Sequence, residues 1–136
     1  MIQPPTFLRA ALMTLALASA LTALSCGPEP TVAGADAWQK ITFDMAQFRD
    51  DGLRGPPDGL RSLDYEFCIP ATDACKAEVA AIDPTVRFSR GTRGRIGCGK
   101  DQYWCLGSTH QEGFREILRA LAALPYVKRI DECFFE

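Results

Sequence analysis

Apolar residues occupy every second position in one stretch of the chain, at Leu63, Tyr65, Phe67 and Ile69. This period of two predicts a β-strand with one buried face, and Pro70 ends it. The next apolar positions, Cys75, Val79 and Ile82, fall on one side of a helix. Thr72 or Asp73 is placed to cap that helix, and the pair Asp83-Pro84 stops it.

The remainder of the chain continues the alternation of strand and helix. Residues 85–89 and 102–106 have the composition of strands, and residues 90–99, with four glycines, predict a long hairpin tip between them. A stripe of large apolar residues then predicts a second helix: Phe114, Ile117, Leu118, Leu121 and Leu124. Thr109 and Glu112 have the spacing of a capping box at its start, and Pro125 closes it. Residues 126–135 predict a fourth strand.

The order strand, helix, strand, strand, helix, strand is that of the ferredoxin-like split βαβ fold. We therefore expect an α+β domain of the βαββαβ type over residues 62–136, supported by disulfides. It would contain a four-stranded antiparallel sheet with two helices on one face. Right-handed crossovers place the first and third strands in the centre of that sheet.

Residues 36–61 form an N-terminal arm before this domain. Trp38, Ile41, Met45 and Phe48 are separated by three, four and three residues, which is typical of one face of a short helix. Residues 40–43 also fit a strand. The glycines and prolines between positions 52 and 59 predict a loop after the helix.

Residues 10–24 form an uncharged and mostly apolar run, preceded by one charge at Arg9. This layout is typical of a secretory signal, and the run is short for a membrane-spanning helix. Ser25 and Cys26 follow it, and a small residue directly before a cysteine resembles the lipobox of bacterial lipoproteins. The resemblance implies a lipoprotein signal peptide at residues 1–25, cut by signal peptidase II, and a lipid on Cys26. Residues 26–35 then form a flexible tether.

The same resemblance implies a location. Gly27 replaces the aspartate that retains many lipoproteins in the inner membrane, so the expected location is the outer membrane, on its periplasmic side. The alternative is ordinary secretion through signal peptidase I, which leaves a soluble secreted or periplasmic protein. Residues 65–136 also look like uncharacterised bacterial envelope proteins, a likeness that implies no activity.

Charge limits the class of partner. After removal of residues 1–25, 14 basic and 17 acidic residues remain, which gives a net charge of −3. Nucleic-acid binding normally needs an excess of Lys and Arg, so we expect no nucleic-acid partner. The 111 remaining residues are enough for one small domain.

Export brings the cysteines into an oxidising compartment, so four of them are disulfide candidates: Cys68, Cys75, Cys98 and Cys105. Cys75 and Cys98 lie at one end of the predicted sheet, and the other two lie on neighbouring strands. We predict the pairs Cys75–Cys98 and Cys68–Cys105, with Cys133 as a free thiol if Cys26 carries lipid. Two alternatives stay open: the local pairs Cys68–Cys75 and Cys98–Cys105, or a Cys26–Cys133 bridge if Cys26 is not lipidated.

A local positive patch stands out in this acidic chain. Residues 85–100 contain no acid and five basic residues: Arg87, Arg90, Arg93, Arg95 and Lys100. The glycines between them can turn backbone amides toward an anion. The patch predicts a site for a phosphate, an anionic lipid headgroup or an acidic envelope polymer, and a solvated loop is the alternative.

Little in the sequence indicates catalysis. His110 is the only histidine, which excludes a histidine-rich metal site. The cysteines lack the close spacing of zinc and thioredoxin-like motifs, and the aspartates between positions 50 and 58 lack the spacing of an EF-hand. We expect no metal and no cofactor. A thiol enzyme would need Cys105 or Cys133 to lie beside His110.

These observations favour a lipid-anchored envelope protein whose domain is a non-enzymatic binding or structural module. It would act through the open face of the sheet or through the basic hairpin. Its partners would be the membrane, through the N-terminal lipid, and an anionic ligand or a protein. A thiol-dependent enzyme, or a secreted disulfide-stabilised inhibitor-like domain, is the alternative.

Overall fold

The computed structural model describes residues 36–135, so the predicted signal peptide, Cys26 and the tether lie outside the described residues. Two 3-10 turns come first, at Ala37–Lys40 and Met45–Gln47. The strands that follow are β1 (Leu53–Arg54), β2 (Arg61–Ser62), β3 (Asp64–Pro70), β4 (Arg87–Arg90), β5 (Gln102–Ser108) and β6 (Asp131–Glu132). The helices are α1 (Asp73–Ile82) and α2 (Phe114–Ala123).

Four strands form one antiparallel sheet in the order β4-β5-β3-β6. The central pair runs in register from Asp64 opposite Ser108 to Pro70 opposite Gln102. β1 and β2 form a separate antiparallel pair. The predicted α+β class and the four-stranded antiparallel sheet are therefore confirmed, with β3 and β5, the first and third strands of the βαββαβ order, in the centre.

The core lies between the sheet and the helices. Tyr65, Phe67 and Ile69 of β3 are fully buried and form one cluster with Val79 of α1 and Leu118 of α2. Full burial of a large apolar side chain contributes about 1.5–3 kcal/mol, so each of these residues contributes substantially to stability. No helix within residues 36–135 has the length and apolar character needed to cross a bilayer.

The buried carboxylate of Asp83 connects β3 to the segments that follow α1 and β5 through hydrogen bonds. Asp83, which follows α1, is fully buried and accepts hydrogen bonds from the Tyr65 hydroxyl and from the backbone N–H of Thr85. The Gln111 side-chain amide donates to the same carboxylate at 3.2 Å. A buried charge is stable only when such donors are present. Burial and the Asp83 carboxylate together raise the pKa of the Tyr65 hydroxyl.

The start of α2 differs from its prediction. The helix begins at Phe114 after Gly113, whose φ of 70° is left-handed, and no side chain caps it. Thr109 is instead fully buried, and its hydroxyl accepts from the Leu63 N–H at 2.9 Å and donates to the Gly52 carbonyl at 2.7 Å. The predicted capping box is wrong because Thr109 joins the β1–β2 region to β3.

The last predicted strand is much shorter than residues 126–135, since β6 contains only Asp131–Glu132. Ile130 precedes it, is fully buried, and forms a parallel bridge with Ile41. That bridge places an extended residue within the helix predicted over residues 36–48, which is divided into the two 3-10 turns. The arm therefore packs against the domain through backbone pairing as well as apolar contact.

Candidate functional site: the basic loop

The loop of residues 91–101, between β4 and β5, folds back over the sheet on the face opposite the helices. The backbone N–H of Ile96 donates to the Glu66 carboxylate at 3.1 Å. A Cβ added to Gly94 would lie 2.3 Å from both Glu66 Oε2 and Trp104 Nε1, so the loop backbone touches the sheet at this point. The loop covers part of the sheet face that the sequence predicted to be open, and that prediction is wrong around Glu66.

A disulfide between Cys68 and Cys98 fastens the end of this loop to the central strand β3. Their Cα atoms are 5.5 Å apart, and the bridge encloses a sequence separation of 30 residues. The predicted pairs Cys75–Cys98 and Cys68–Cys105 are therefore wrong, and so are the local pairs. Cys75 is also disulfide-bonded, but not to Cys98.

The register of the sheet explains these pairings. Cys68 is directly opposite Trp104, while Cys105 is opposite Phe67. Opposed residues share a face of an antiparallel sheet, so Cys105 points into the core and Cys68 points away from the helices. The loop brings Cys98 to that same outer face. The predicted Cys68–Cys105 pair therefore fails because these two side chains lie on opposite faces of the sheet.

Glu66 is the second attachment of the loop. This carboxylate is 1 % exposed, and its other oxygen accepts a hydrogen bond from the Trp104 indole N–H. The loop backbone and a neighbouring strand thus supply the two donors that a buried carboxylate needs. Sequence reasoning placed Glu66 on the polar face of its strand and missed this role, because only the folded loop removes the side chain from water.

The five basic residues of the patch are all exposed: Arg87, Arg90, Arg93, Arg95 and Lys100. Arg87 is opposite Leu106 and Arg90 is opposite Tyr103, so they lie on different faces of the edge strand β4. Within residues 36–135, no carboxylate comes within 4.0 Å of the Arg87, Arg90 or Arg93 guanidinium. Their charges are therefore available to an external anion.

Lys76 extends this positive surface, although the patch predicted from the sequence did not include it. Its Nζ lies 5.5 Å from the ring centroid of Phe88 and 5.6 Å from that of Tyr103, in cation–π geometry. Tyr103 is the residue opposite Arg90, so a lysine of α1 and an arginine of β4 flank one aromatic ring. No local sequence pattern indicates this, because α1 and β4 meet only through packing.

The two free thiols of the described chain are poorly suited to nucleophilic chemistry. Cys105 is buried in the core, and burial raises the pKa of its thiol to about 12. Cys133 is free, as predicted, and its backbone N–H donates to the Asp64 carbonyl at 2.7 Å. Burial and the nearby Glu66 and Asp64 carboxylates raise the pKa of the Cys133 thiol. Thiols that stay protonated at neutral pH are weak nucleophiles.

The hydrogen bonds of His110 do not involve either of these thiols. It is exposed, and its Nδ1 is 3.3 Å from the Asp51 carbonyl oxygen. Asp51 also accepts from the Leu53 N–H and pairs with Arg49. Across residues 36–135, no group of three or more His, Cys, Asp and Glu side chains is arranged to hold a metal ion. The geometry does not favour a thiol enzyme at this histidine.

Comparisons with protein families, with curated protein sequences and with solved structures give no match to this chain. The function must therefore be argued from the residues of the chain alone. The basic loop is the feature of the described surface that combines free charge with an imposed conformation.

Proposed function

We propose that this chain is an envelope lipoprotein whose domain binds phosphate groups of an anionic ligand without catalysing a reaction. The observation that carries the proposal is the acid-free segment of residues 85–100, whose exposed arginines lie on β4 and on the basic loop. The loop is held on the sheet by Cys68–Cys98 and by Glu66. The signal-like residues 1–25 would direct export, and a lipid on Cys26 would hold the domain at the membrane.

The attachments of the loop support binding rather than simple solvation. A flexible loop loses conformational freedom when it binds, and that loss weakens affinity. Here the loop is held at Ile96 and Cys98 before any ligand arrives. The backbone carbonyl of Arg93 also accepts from the Cys98 N–H at 2.7 Å, which closes a turn that runs from Arg93 to Cys98 and contains Arg95. A solvated loop would not need these constraints.

Arginine is suited to phosphate because its planar guanidinium donates two parallel hydrogen bonds to oxygen atoms. The three arginines with no carboxylate partner among the described residues lie on β4 and at the start of the loop, and Lys76 adds a fourth charge on the face of Arg90. In a domain of net negative charge, such a patch attracts an anion to the edge of the sheet that β4 forms.

Binding of inorganic polyphosphate to the mature chain tests the phosphate part of the proposal. We expect the triple variant Arg87→Gln/Arg90→Gln/Arg93→Gln to weaken binding at least tenfold. The control variant Arg49→Gln/Arg119→Gln/Arg129→Gln removes the same charge from exposed positions elsewhere, and it should bind like the native chain. Equal binding by both variants would contradict the proposal, since net charge alone would then explain it.

The mass of the mature N-terminus tests the anchor. A diacylglycerol and an acyl chain on Cys26, with residues 1–25 removed, is the expected result. The competing state is a Cys26 that carries no lipid and forms a disulfide. A mature chain with no acyl mass, or with Cys26 and Cys75 in one disulfide-linked peptide, would contradict lipidation.

A further inference from the structure

Two large aromatic side chains are exposed directly after β6. Phe134 is 57 % exposed and Phe135 is 66 % exposed. Among the described residues, Trp38 at 37 % is the other large hydrophobic side chain with comparable exposure. Adjacent exposed phenylalanines in a small domain indicate a surface that contacts something apolar.

These phenylalanines lie beside the basic loop. The Arg95 guanidinium is 5.9 Å from the ring centroid of Phe134, within range of a cation–π contact. On its other side, Phe134 lines a groove of about 910 Å³ together with Arg54, Pro56 and Arg61. The Phe134 ring therefore lies beside an arginine of the loop and also lines a groove that contains two arginines of the β1–β2 pair.

Two acids that precede these rings in the sequence, Asp131 and Glu132, are paired with arginines. The Arg129 guanidinium lies 2.8 Å from the Asp131 carboxylate, and Arg54 forms an ion pair with Glu132. Glu66 is buried beneath the loop and bound by Ile96 and Trp104. These three carboxylates are therefore already bound by donors of the chain and do not oppose an anion beside the rings.

We infer that Phe134, Phe135 and the basic loop form one surface that docks on a bilayer of anionic phospholipid. This inference deepens the proposed function and rests on it, because it names the phosphate as that of a lipid headgroup. Phenyl rings gain free energy when they enter the interface between headgroups and acyl chains. Basic side chains near an anionic leaflet add attraction that falls off within a Debye length.

The presence of exposed rings next to arginines favours a bilayer over a soluble polyanion as the ligand of this surface. A polymer in water would satisfy the arginines but would leave both phenyl rings exposed to solvent. A bilayer satisfies the arginines at the phosphate level and the rings just below it. The lipid proposed on Cys26 would hold the domain at such a surface, and the docking surface would then set its orientation.

Flotation of the mature chain, prepared without an acyl chain, with lipid vesicles tests this inference. One set of vesicles contains phosphatidylcholine alone, and the other contains phosphatidylglycerol as well. We expect the native chain to float with the anionic vesicles and not with the neutral ones. The variant Phe134→Ser/Phe135→Ser should lose at least tenfold in affinity for the anionic vesicles and bind polyphosphate as before.

Trp38→Ser is the matched control, since it removes another exposed aromatic side chain away from the loop and should float like the native chain. The single variant Phe135→Ser guards against misfolding, because it changes the more exposed ring, and it should show a smaller loss in the same direction. Native-like flotation of the double phenylalanine variant would overturn the inference.

Two further outcomes separate this inference from the proposed function. If the native chain binds polyphosphate but no vesicle, the bilayer inference fails and a soluble anionic polymer becomes the ligand, while the proposed function stands. If it binds neither, both fail. If Arg87→Gln/Arg90→Gln/Arg93→Gln floats like the native chain, the arginines have no part in docking and the inference is overturned.

Discussion

The backbone N–H of Ile96 donates a hydrogen bond to the carboxylate of Glu66, 30 residues earlier in the chain, at 3.1 Å. This single contact joins a glycine-rich loop to the middle of the central strand. It also explains how a glutamate on the predicted polar face of a strand is almost completely buried. The conformation of the basic loop therefore depends on a residue that carries the opposite charge.

Replacing Glu66 with alanine should release the loop from the sheet. The indole N–H of Trp104 and the N–H of Ile96 would lose their acceptor, and an unsatisfied buried donor costs about 1–3 kcal/mol. We expect that loss in urea denaturation and faster hydrogen exchange at the Ile96 amide. Asp64→Asn, two residues earlier on the same strand face, is the control and should leave that amide protected. Unchanged exchange at Ile96 in the alanine variant would contradict the role given to Glu66.

Alanine substitutions at two glycines distinguish the effect of a steric clash between the loop and the sheet from the effect of a strained backbone. Gly91 has φ 85° and Gly94 has φ 62°, so alanine is strained at both positions. A Cβ on Gly91 would meet nothing within 4 Å, whereas one on Gly94 would meet Glu66 and Trp104 at 2.3 Å. Gly94→Ala should therefore destabilise the domain by about 1–3 kcal/mol more than Gly91→Ala. Equal free energies of unfolding for the two variants would show that the loop does not press on the sheet.

Removing the Cys68–Cys98 disulfide should both destabilise the fold and free the basic loop. A bridge that encloses some 30 residues contributes about 3–4 kcal/mol in the chain-entropy description. The variant Cys68→Ser/Cys98→Ser should lose that amount, and trypsin should cleave it faster at Arg93 and Arg95. Cys133→Ser removes a thiol that forms no bridge, and it should resist trypsin like the native chain. Resistance in the double variant would mean that Glu66 alone holds the loop.

Stability should fall at alkaline pH because of Cys105. Burial raises the pKa of this thiol from its ordinary 9.0 to about 12. Between these values the unfolded chain loses the proton and the folded chain keeps it, so stability is complete below pH 9 and decreases as the pH rises toward 12. One such group contributes about 1.4 kcal/mol per pH unit in that range.

Denaturation curves at pH 8, 9 and 10 for the native chain and for Cys105→Ala check this expectation. The variant should be less stable at pH 8 because of the cavity, but it should lose less stability as the pH rises. A part of the slope should persist in the variant, because the raised pKa of Tyr65 acts in the same direction. Parallel curves for the two proteins would contradict the assignment to Cys105.

The sequence by itself determined the two helices, the four strands of the main sheet and their order. The alternation at Tyr65, Phe67 and Ile69 identified the central strand, and the Thr72 cap identified the start of α1. These features depend on residues close in sequence, where side-chain period and local hydrogen bonds act directly. The same local reasoning failed at Thr109, because its hydroxyl bonds to Gly52 and Leu63, which are distant in sequence.

Only the tertiary structure decided where the basic loop lies and what holds it. The sequence identified the five basic residues of the patch, but it did not indicate Lys76, the burial of Glu66 or the Cys68–Cys98 bridge. Each depends on which face of the sheet a long loop covers, and the loop's own residues do not specify that face. The choice comes from strand register and packing, since these determine which partners a folded loop can reach.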